Sequence, residues 1–451
     1  MMWSILKALR ERPEVLYESQ KKRGMSVEII EKAIELDKKW REKLKETNML
    51  RKKRNELSKQ LKGSKDPKIV EEAKKVSEEV KRAEEELKEL ESELEKVLLS
   101  IPNIVHESVP VGKDESENVP IRYWGKAKVY FEDVDKFLMN TKGMAEYEVT
   151  DFKPVGHADA VELFGWADIA RAGKIAGSRF YFLLDDLLWL DFALTLYALD
   201  FLAKKGFKIL LPPFMLKKEA YKGVTAFGDF EDVIYKIEGE DLHLIATSEH
   251  AIAAMHMNET LEESELPLLY AGFSPCFRKE AGAHGKDTKG IFRVHQFNKV
   301  EQFVFCLPEQ SWDWHEKLLE NAEKLWQGLG IPYRVVNICT GDLGVVAAKK
   351  YDIEAWLPSQ ATYREMVSCS NCTDWQSYRL NIRYAEKKGM PSKGFVHTLN
   401  STAIATTRAI TAIIENYQLE DGRVEIPKVL RKYLENIDTA PKDYITPKKL
   451  S

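Results

Sequence analysis

Positive charges gather in the stretch Phe277–Phe297, which begins and ends with apolar residues. It contains a glycine-rich loop and five cations, Arg278, Lys279, Lys286, Lys289 and Arg293. The pattern predicts one strand that ends over Phe277–Lys279, a compliant loop, and a second strand over Phe292–Val304. An arginine near each strand end could hold a phosphate or a carboxylate with its planar guanidinium. A solvated loop would explain the same charges, so other segments must decide between the two interpretations.

Further residues whose side chains could bind a ligand or a metal ion lie at the end of this stretch and beyond it. Phe297 and Glu301 lie four residues apart on the second predicted strand, so their side chains share one face of it. A ring and a carboxylate beside arginines could hold an aromatic base, an ammonium group and a phosphate together. Glu365 and Ser368 offer two oxygen atoms that suit Mg²⁺, and Arg408 lies near the start of a predicted helix. Each of these features taken singly is more often structural than functional.

The region from about Ser26 to Ser100 has the pattern of a helical hairpin. In its second half apolar residues recur in alternating steps of four and three, as in a coiled coil; they are Ile69, Ala73, Val76, Val80, Ala83, Leu87, Leu90, Leu94 and Val97. The same spacing from Ile29 to Leu61 is interrupted by polar residues, and a turn signal separates the halves. Two helices of about 35 residues, each ~50 Å long, should form an antiparallel arm.

The two predicted arm helices differ in charge. Residues 28–62 hold twelve Lys or Arg against seven Asp or Glu, whereas residues 65–96 hold eight against twelve. Charge pairing between the helices explains much of this difference, but the positive excess is concentrated at the tip. A projecting basic tip suits a phosphate backbone. The residues expected to bind nucleic acid are Arg51, Lys52, Lys53, Arg54, Lys59 and Lys62.

The overall composition limits the class of protein. A formal net charge of −4 argues against a protein coated in nucleic acid. Cys369 and Cys372 have no second CxxC pair at zinc-ribbon spacing, so we expect structural thiols and no structural zinc. The apolar window from Phe180 to Ala203 contains four aspartates, which would be very costly in lipid. Without a signal-peptide cleavage pattern, the sequence indicates a cytoplasmic protein with no membrane span.

Composition changes after Ser100, where a loop rich in proline, glycine and acidic residues extends to Trp124. We place a domain boundary here and predict an N-terminal domain over residues 1–110 and a second domain over residues 111–451. Strands and helices predicted in the second domain indicate an α+β fold with a half-covered antiparallel sheet. The predicted strands are Ile209–Met215, Leu242–Ala246 and Val300–Cys306, and the predicted helices are Leu187–Lys204, Trp312–Leu329 and Thr402–Tyr417. The absence of GxGxxG and P-loop motifs excludes the nucleotide sites of those types.

Taken together, these segments resemble the signature motifs of class II aminoacyl-tRNA synthetases. Arg278–Glu280 is similar to motif two, Thr402–Arg408 to motif three, and Leu187–Lys204 with Pro213 to the dimer-forming motif one. Longer runs resemble those of seryl-tRNA synthetases in particular: Arg54–Lys59, Ser178–Tyr181, Thr247–Glu249, Arg293–Glu301 and Ser368–Asp374. The likeness covers nearly the whole chain, including the arm. It departs from the family pattern at Asp159–Glu162 and at Asn400–Thr402, where a glycine is common after the asparagine.

The resemblance implies an N-terminal coiled-coil arm that binds tRNA and a class II catalytic domain, in a homodimer that joins serine to serine tRNA with ATP and Mg²⁺. Selenocysteine tRNA is a second candidate substrate. The implied catalytic residues are Arg278, Glu280 and Arg408. The implied ATP-binding residues are Arg278, Lys279, Glu280, Val294, Phe297, Glu365, Met366, Val367, Ser368 and Arg408, of which Glu365 and Ser368 would hold Mg²⁺. The implied serine-binding residues are Thr247, Ser248, Glu249, Arg278, Glu301, Asn400 and Thr402.

Two other interpretations keep the same fold but change the function. A paralogue that loads a carrier protein would be expected to lack the long basic arm, which this chain has. A binding scaffold without catalysis would be expected to lose Arg278, Glu301 or Arg408, and all three are present. The sequence therefore favours the synthetase over both alternatives.

Overall fold

The computed structural model describes residues 4–61, 66–226, 232–280 and 287–448. The chain divides into two compact units, Met2–Ile104 and Val105–Ser451. The boundary expected after residue 110 lies slightly beyond this division and stays a prediction. Within the described residues, no helix is both long enough and apolar enough to cross a bilayer.

The first unit is helical. Its described helices are α1 (Ser4–Glu11), α2 (Pro13–Lys22), α3 (Glu28–Leu61) and α4 (Pro67–Leu99). Ion pairs that join Lys32 to Glu93 and Lys53 to Glu72 run in opposite order along α3 and α4, so the two long helices are antiparallel, as predicted. Pro67 at the first position of α4 and the Asp66 side chain, which accepts a hydrogen bond from Lys68 N, start that helix cleanly.

The apolar seam of α4 is confirmed, because its predicted positions are buried or half-buried between exposed neighbours. Leu57 of α3 packs against Val76 and Val80 near the tip. At the base the expected seam is wrong by one position: Ile30 is fully buried while Ile29 is only half-buried. Helix α1 packs beside α3 there, and Arg10 of α1 pairs with the buried Asp37, so α3 buries a side that faces α1 in addition to its seam with α4.

An eight-stranded sheet forms the centre of the second unit. Its spatial order is β1-β12-β13-β14-β17-β11-β10-β6. The strands are β1 (Val119–Trp124), β6 (Lys208–Leu210), β10 (Leu268–Phe277), β11 (Gln296–Cys306), β12 (Tyr333–Asn337), β13 (Lys349–Leu357), β14 (Thr362–Asn371) and β17 (His397–Ala405). Neighbours pair antiparallel, except that the edge strand β6 runs parallel to β10. This is the predicted α+β architecture.

Shorter elements surround this sheet. The remaining described strands are β2 (Ala127–Tyr130), β3 (Tyr147–Thr150), β4 (Ala167–Asp168), β5 (Phe182–Leu183), β7 (Met215–Leu216), β8 (His243–Leu244), β9 (Thr260–Glu262), β15 (Arg383–Ala385), β16 (Gly394–Phe395), β18 (Val424–Glu425) and β19 (Tyr444–Ile445). The described helices are α5 (Val134–Thr141), α6 (His157–Leu163), α7 (Ile169–Ala176), α8 (Asp185–Lys204), α9 (Lys218–Val224), α10 (Ser248–Ala254), α11 (Ser311–Leu329), α12 (Trp375–Arg379), α13 (Thr406–Tyr417) and α14 (Lys428–Arg431).

The main core lies on one face of the large sheet. Helices α8, α11 and α13 cover that face, and residues such as Val300 and Val304 of β11 pack against them. Because side chains alternate along a strand, Lys299 and Glu301 of β11 point to the opposite face. That second face is only partly covered and carries a cleft.

Several predicted boundaries are wrong. The predicted helix Thr402–Tyr417 begins only at Thr406, and Thr402 lies in β17, because pairing with β11 and β14 keeps this segment extended. The second strand of the charged stretch begins at Gln296 rather than Phe292. The expected strand Ile209–Met215 is divided between β6 and β7, since prolines cannot donate hydrogen bonds to a ladder.

Candidate active site

The cleft on the open face of the sheet has a volume of about 540 Å³. Twelve of the residues expected to bind ATP or serine line it: Thr247, Glu249, Arg278, Glu280, Phe297, Glu301, Glu365, Met366, Ser368, Asn400, Thr402 and Arg408. They come from β10, β11, β14, β17, α10 and α13 and from the chain segments next to these elements. Residues separated by more than 150 positions in the sequence thus meet in one place. The sheet supplies rigid strands on which the spacing of these side chains is fixed.

One end of the cleft combines cations with an aromatic ring. The Arg278 guanidinium carbon lies 5.2 Å from the centre of the Phe297 ring, and its Nε donates to the Ala246 carbonyl over 3.3 Å. Glu280 accepts a hydrogen bond from Arg293 Nη1 over 3.0 Å. These contacts hold a flat apolar surface beside positive charge, an arrangement that suits a nucleotide.

A second arginine approaches the same end from the start of α13. Arg408 Nη1 donates to the Glu365 carbonyl over 3.0 Å and lies 3.3 Å from its carboxylate. The Arg408 guanidinium also lies 5.2 Å from the Phe292 ring centre, and Arg364 approaches the same ring to 4.4 Å. Phe292 therefore holds two guanidinium groups in place through cation–π contacts.

Glu365 and Ser368 occupy the cleft face of β14. The Glu365 side chain is 46% exposed to the cleft. Withdrawal from water would raise the pKa of Glu365, but the charges of Arg408, Lys350 and Arg278 outweigh this effect and lower it. A carboxylate that stays ionised beside a hydroxyl fits Mg²⁺, which prefers oxygen ligands and keeps several waters. The two predicted metal residues are thus suited to that ion.

The other end of the cleft is lined with two carboxylates, of which Glu301 is buried and Glu249 is half-buried. Glu249 accepts hydrogen bonds from Asn400 Nδ2 over 3.0 Å and from Gln376 Nε2 over 3.4 Å. Burial, followed by the charge of Glu301, raises the pKa of Glu249 to about 7. Glu301 is itself 1% exposed, and its carboxylate forms an ion pair with Lys299. Such a pocket suits a small ammonium-bearing molecule.

Two backbone features aim the side chains of this pocket. The register between β11 and β17 shifts after Val300, so that Glu301 stands opposite Thr402. On the other side Glu301 pairs with Gly272 of β10. A Cβ at Gly272 would lie 2.6 Å from the Cδ1 of Ile252, so only glycine lets α10 approach the sheet closely enough to bring Glu249 into the cleft.

Comparison with known proteins agrees with this arrangement. Residues 6–105 match the seryl-tRNA synthetase N-terminal domain, and residues 233–417 match the tRNA synthetase class II core domain (G, H, P, S and T). The serine–tRNA ligase of Archaeoglobus fulgidus is 79% identical over 451 residues, which cover 99% of this chain and 100% of that protein. This chain belongs to the seryl-tRNA synthetase family. Its predicted family, fold class and enzyme class are thereby confirmed.

Solved structures of seryl-tRNA synthetases have the same fold. The crystal structure of the Pyrococcus horikoshii enzyme complexed with ATP matches with a TM-score of 0.93 and 53% identity, and the match covers 100% of both chains. The cytoplasmic serine–tRNA ligase of Naegleria fowleri in complex with AMP matches with a TM-score of 0.86 and 41% identity over 100% of both chains. The arm and the catalytic domain of this synthetase are both included in these matches.

Four predicted residues do not line the cleft. Val367 packs in the main core on the opposite side of β14, and Val294 packs beneath Phe297 with Cys276. Ser248 is fully buried and donates to the Gly272 carbonyl over 3.2 Å. Lys279 follows the end of β10, where its N–H donates to the Val233 carbonyl. None of these four residues lines the cleft, and the side chains of Val367, Val294 and Ser248 pack in the interior beside cleft residues.

The sequence interpretation missed several residues of the cleft. The missed residues with polar side chains include Thr225, His250, Lys299, Lys350, Ser370 and Cys372, whereas Arg293, which the sequence suggested as a phosphate or carboxylate ligand, does line the cleft. Lys299 had a usable signal, because it stands two positions before Glu301 on the same strand and must share its face. The loop 343–347 also lines the cleft, but an apolar run with one glycine gives no local indication of a site.

Proposed function

We propose that this synthetase activates L-serine with ATP in the cleft, releases pyrophosphate, and transfers serine from the adenylate to the 3′ end of serine tRNA. The main support is the meeting in one cleft of an arginine-rich end with a buried carboxylate-lined end. The first suits a triphosphate and the second suits a small amino acid. The full-length likeness to serine–tRNA ligases identifies that amino acid as serine.

At the nucleotide end, Arg278 contacts the α-phosphate and the serine carboxylate, while Arg408 reaches the γ-phosphate. Phe297 and Arg408 hold the two faces of adenine, and Glu280 contacts its edge. Glu365 and Ser368 would hold Mg²⁺, which would neutralise charge on the phosphates. A carboxylate oxygen of serine attacks the α-phosphorus, a new P–O bond forms, and the bond to pyrophosphate breaks. Because serine is already ionised, the step needs fixed positive charge and alignment rather than a general base.

At the amino-acid end, Glu301 and Glu249 bind the serine ammonium group. Thr247, Asn400 and Thr402 surround the small side chain, and the hydroxyl of Thr402 stands opposite Glu301 in the strand register. A pocket that hydrogen-bonds the substrate hydroxyl rejects alanine, because its own polar groups would then be left unpaired. The methyl group of Thr402 limits space for threonine.

The arm supplies the tRNA-binding surface in this proposal. Arg51 and Lys53 form ion pairs with Glu84 and Glu72 of α4. Lys52 and Lys59 are exposed, and the described residues offer them no ion pair, so their charges are available to a phosphate backbone. Arg54 is half-buried beside them. Lys62, the sixth predicted contact, lies outside the described residues.

The proposal extends to a homodimer. Helix α8, the counterpart of motif one, exposes Leu188, Phe192 and Leu196, with exposed fractions of 39 to 47%. Ile209 and Leu211 next to it are also exposed. Apolar side chains in such a group favour association with a second subunit. We place the enzyme in the cytoplasm and include selenocysteine tRNA as a second substrate.

The carrier-protein loader and the non-catalytic scaffold are disfavoured. Serine–tRNA ligases match the chain over its full length, arm included, and Arg278, Glu301 and Arg408 all face the cleft. The deciding experiment is ATP–pyrophosphate exchange with a panel of amino acids, followed by tRNA charging. Serine should support exchange at least about a hundredfold better than alanine or threonine. An enzyme that exchanges equally well with another amino acid, or that never charges tRNA, would overturn the proposal.

A further inference from the structure

We infer that Lys299 is a positioning residue of the serine pocket, whose ammonium group fixes the Glu301 carboxylate in the orientation that receives the ammonium group of the substrate. Lys299 would act through Glu301 without touching serine. The inference rests on the serine pocket proposed above, and it adds a residue that the signature motifs do not include.

The geometry of this pair is tight and enclosed. Lys299 and Glu301 are two residues apart on β11, on the cleft face, and Lys299 Nζ lies 2.5 Å from Glu301 Oε2. Their side chains are 7% and 2% exposed. Glu301 Oε2 is buried and accepts no regular hydrogen bond from the described residues. A carboxylate withdrawn from water needs a compensating charge, and the Lys299 ammonium supplies it.

The position of the pair indicates a role beyond stability. Both residues line the cleft, and a second, half-buried carboxylate, Glu249, lines it from α10. A neighbouring negative charge disfavours the ionised form of a carboxylate. Burial and the charge of Glu301 raise the pKa of Glu249, whereas the charge of Lys299 opposes that rise. Without Lys299 the pocket would take up a proton more readily and would attract an ammonium group less strongly.

The other titratable groups around the pair do not change charge near neutral pH. Burial lowers the pKa of His250 on α10 to about 3. Burial raises the pKa of the Cys276 thiol on β10, of Cys369 on β14 and of Cys372 beyond that strand. The response of serine binding near neutral pH therefore reports on Glu249, whose pKa of about 7 lies in that range.

The experiment compares Lys299→Met with the wild-type enzyme in serine-dependent ATP–pyrophosphate exchange. We expect the KM for serine to rise about tenfold or more while the KM for ATP changes less than about twofold. The charge of Lys299 opposes the rise of the Glu249 pKa, so its loss should raise that pKa further, and the serine affinity of the variant should fall at a higher pH as the solution is acidified. A wild-type enzyme without serine-dependent exchange would instead refute the proposed function itself.

Three matched variants separate positioning from general stability. Lys299→Arg keeps the charge and should recover most of the serine affinity. Lys349→Met removes another buried lysine, on β13 and outside the cleft, and should leave the KM for serine within about twofold. Because Lys299 acts through Glu301, adding Lys299→Met to Glu301→Gln should change the KM for serine less than about twofold.

Two outcomes would overturn the inference. One is an equal rise of the KM values for serine and ATP in Lys299→Met. The other is a double variant whose effect equals the product of the two single effects. If Lys299→Met does not fold, the double variant removes both charges of the pair and still permits comparison with Glu301→Gln alone. A difference of more than about fivefold in the KM for serine between the double variant and Glu301→Gln would also refute the inference.

Discussion

The arm and the cleft both depend on charged residues, but they use them in opposite ways. On the arm, Lys52 and Lys59 are exposed to solvent and are carried by a scaffold whose seam is apolar. In the cleft, Glu301 and Lys299 are buried as an ion pair beside the half-buried Glu249, whose pKa is raised by burial and by the charge of Glu301. Under the proposed function, a tRNA backbone would be bound by interchangeable cations, whereas serine would require particular partners. Removing one charged side chain should therefore weaken tRNA binding only slightly on the arm, whereas it should reduce serine-dependent activity severely in the cleft.

The largest expected effect is that of Arg278→Ala. It removes a preorganised cation from developing phosphate charge, so kcat/KM for serine-dependent pyrophosphate exchange should fall about 1,000-fold, or roughly 4 kcal/mol. Lys279→Ala is the matched control, since its side chain does not line the cleft, and it should stay within about threefold of wild type. If the activity of Arg278→Ala also stayed within about threefold of wild type, the role assigned to Arg278 at the phosphates would be wrong.

Shortening the arm should separate the activation of serine from the charging of tRNA. The hydroxyl of Thr47 approaches the Ala83 carbonyl across the hairpin, at 3.5 Å, so residues 48–82 can be replaced by a short glycine–serine turn at that level. The base of the arm, with Asp37 buried against Arg10 and Arg41, is retained. Serine-dependent exchange should stay within about twofold, while kcat/KM for charging tRNA should drop about a hundredfold.

Two results would contradict that expectation. Charging of tRNA at wild-type efficiency by the shortened enzyme would remove the arm from tRNA binding. Loss of pyrophosphate exchange together with charging would show that the arm is needed for the integrity of the catalytic domain. Circular dichroism and thermal melting of both proteins would distinguish this second case from a local defect.

A change inside the serine pocket should have an intermediate effect. Thr402→Val keeps the shape of the side chain but removes the hydroxyl that stands opposite Glu301. We expect kcat/KM for serine to fall about tenfold and the preference for serine over alanine to narrow by a similar factor. Thr411→Val, which removes a buried hydroxyl that donates to the Thr407 carbonyl within α13 and lies outside the cleft lining, serves as the control. An unchanged preference in Thr402→Val would exclude Thr402 from hydroxyl recognition.

Removing exposed charge from the tip should have the smallest effect. Lys52→Ala with Lys59→Ala should raise the KM for tRNA about fivefold and reduce the slope of log affinity against log salt by about two. The comparison variant is Lys74→Ala with Lys75→Ala, which removes two exposed lysines from the acidic helix α4. Equal effects of the two double variants on the KM for tRNA would mean that the tip contributes no more to tRNA binding than the rest of the arm.

The difference between local patterns and long-range contacts explains which features could be predicted from the sequence. The α4 seam depends on a local repeat, so the sequence predicts it position by position, whereas the roles of the cleft residues follow from the resemblance of their motifs to those of class II synthetases. Thr402 was misplaced in a helix because its strand state depends on β11 and β14, which lie far away in the sequence. The loop 343–347 reaches the cleft only through tertiary packing, and no local pattern indicates this.

Strand β11 has one further consequence for the chemistry. Phe297, Lys299 and Glu301 succeed one another on its cleft face, while Val300 and Val304 anchor its other face in the core. Four residues of an extended strand span about 13–14 Å. In the mechanism proposed above, the strand therefore sets the distance between the base of the nucleotide and the amino group of serine. Substitutions along β11 would alter binding at either end of this segment, but inserting a single residue would turn the side chains at one end towards the core.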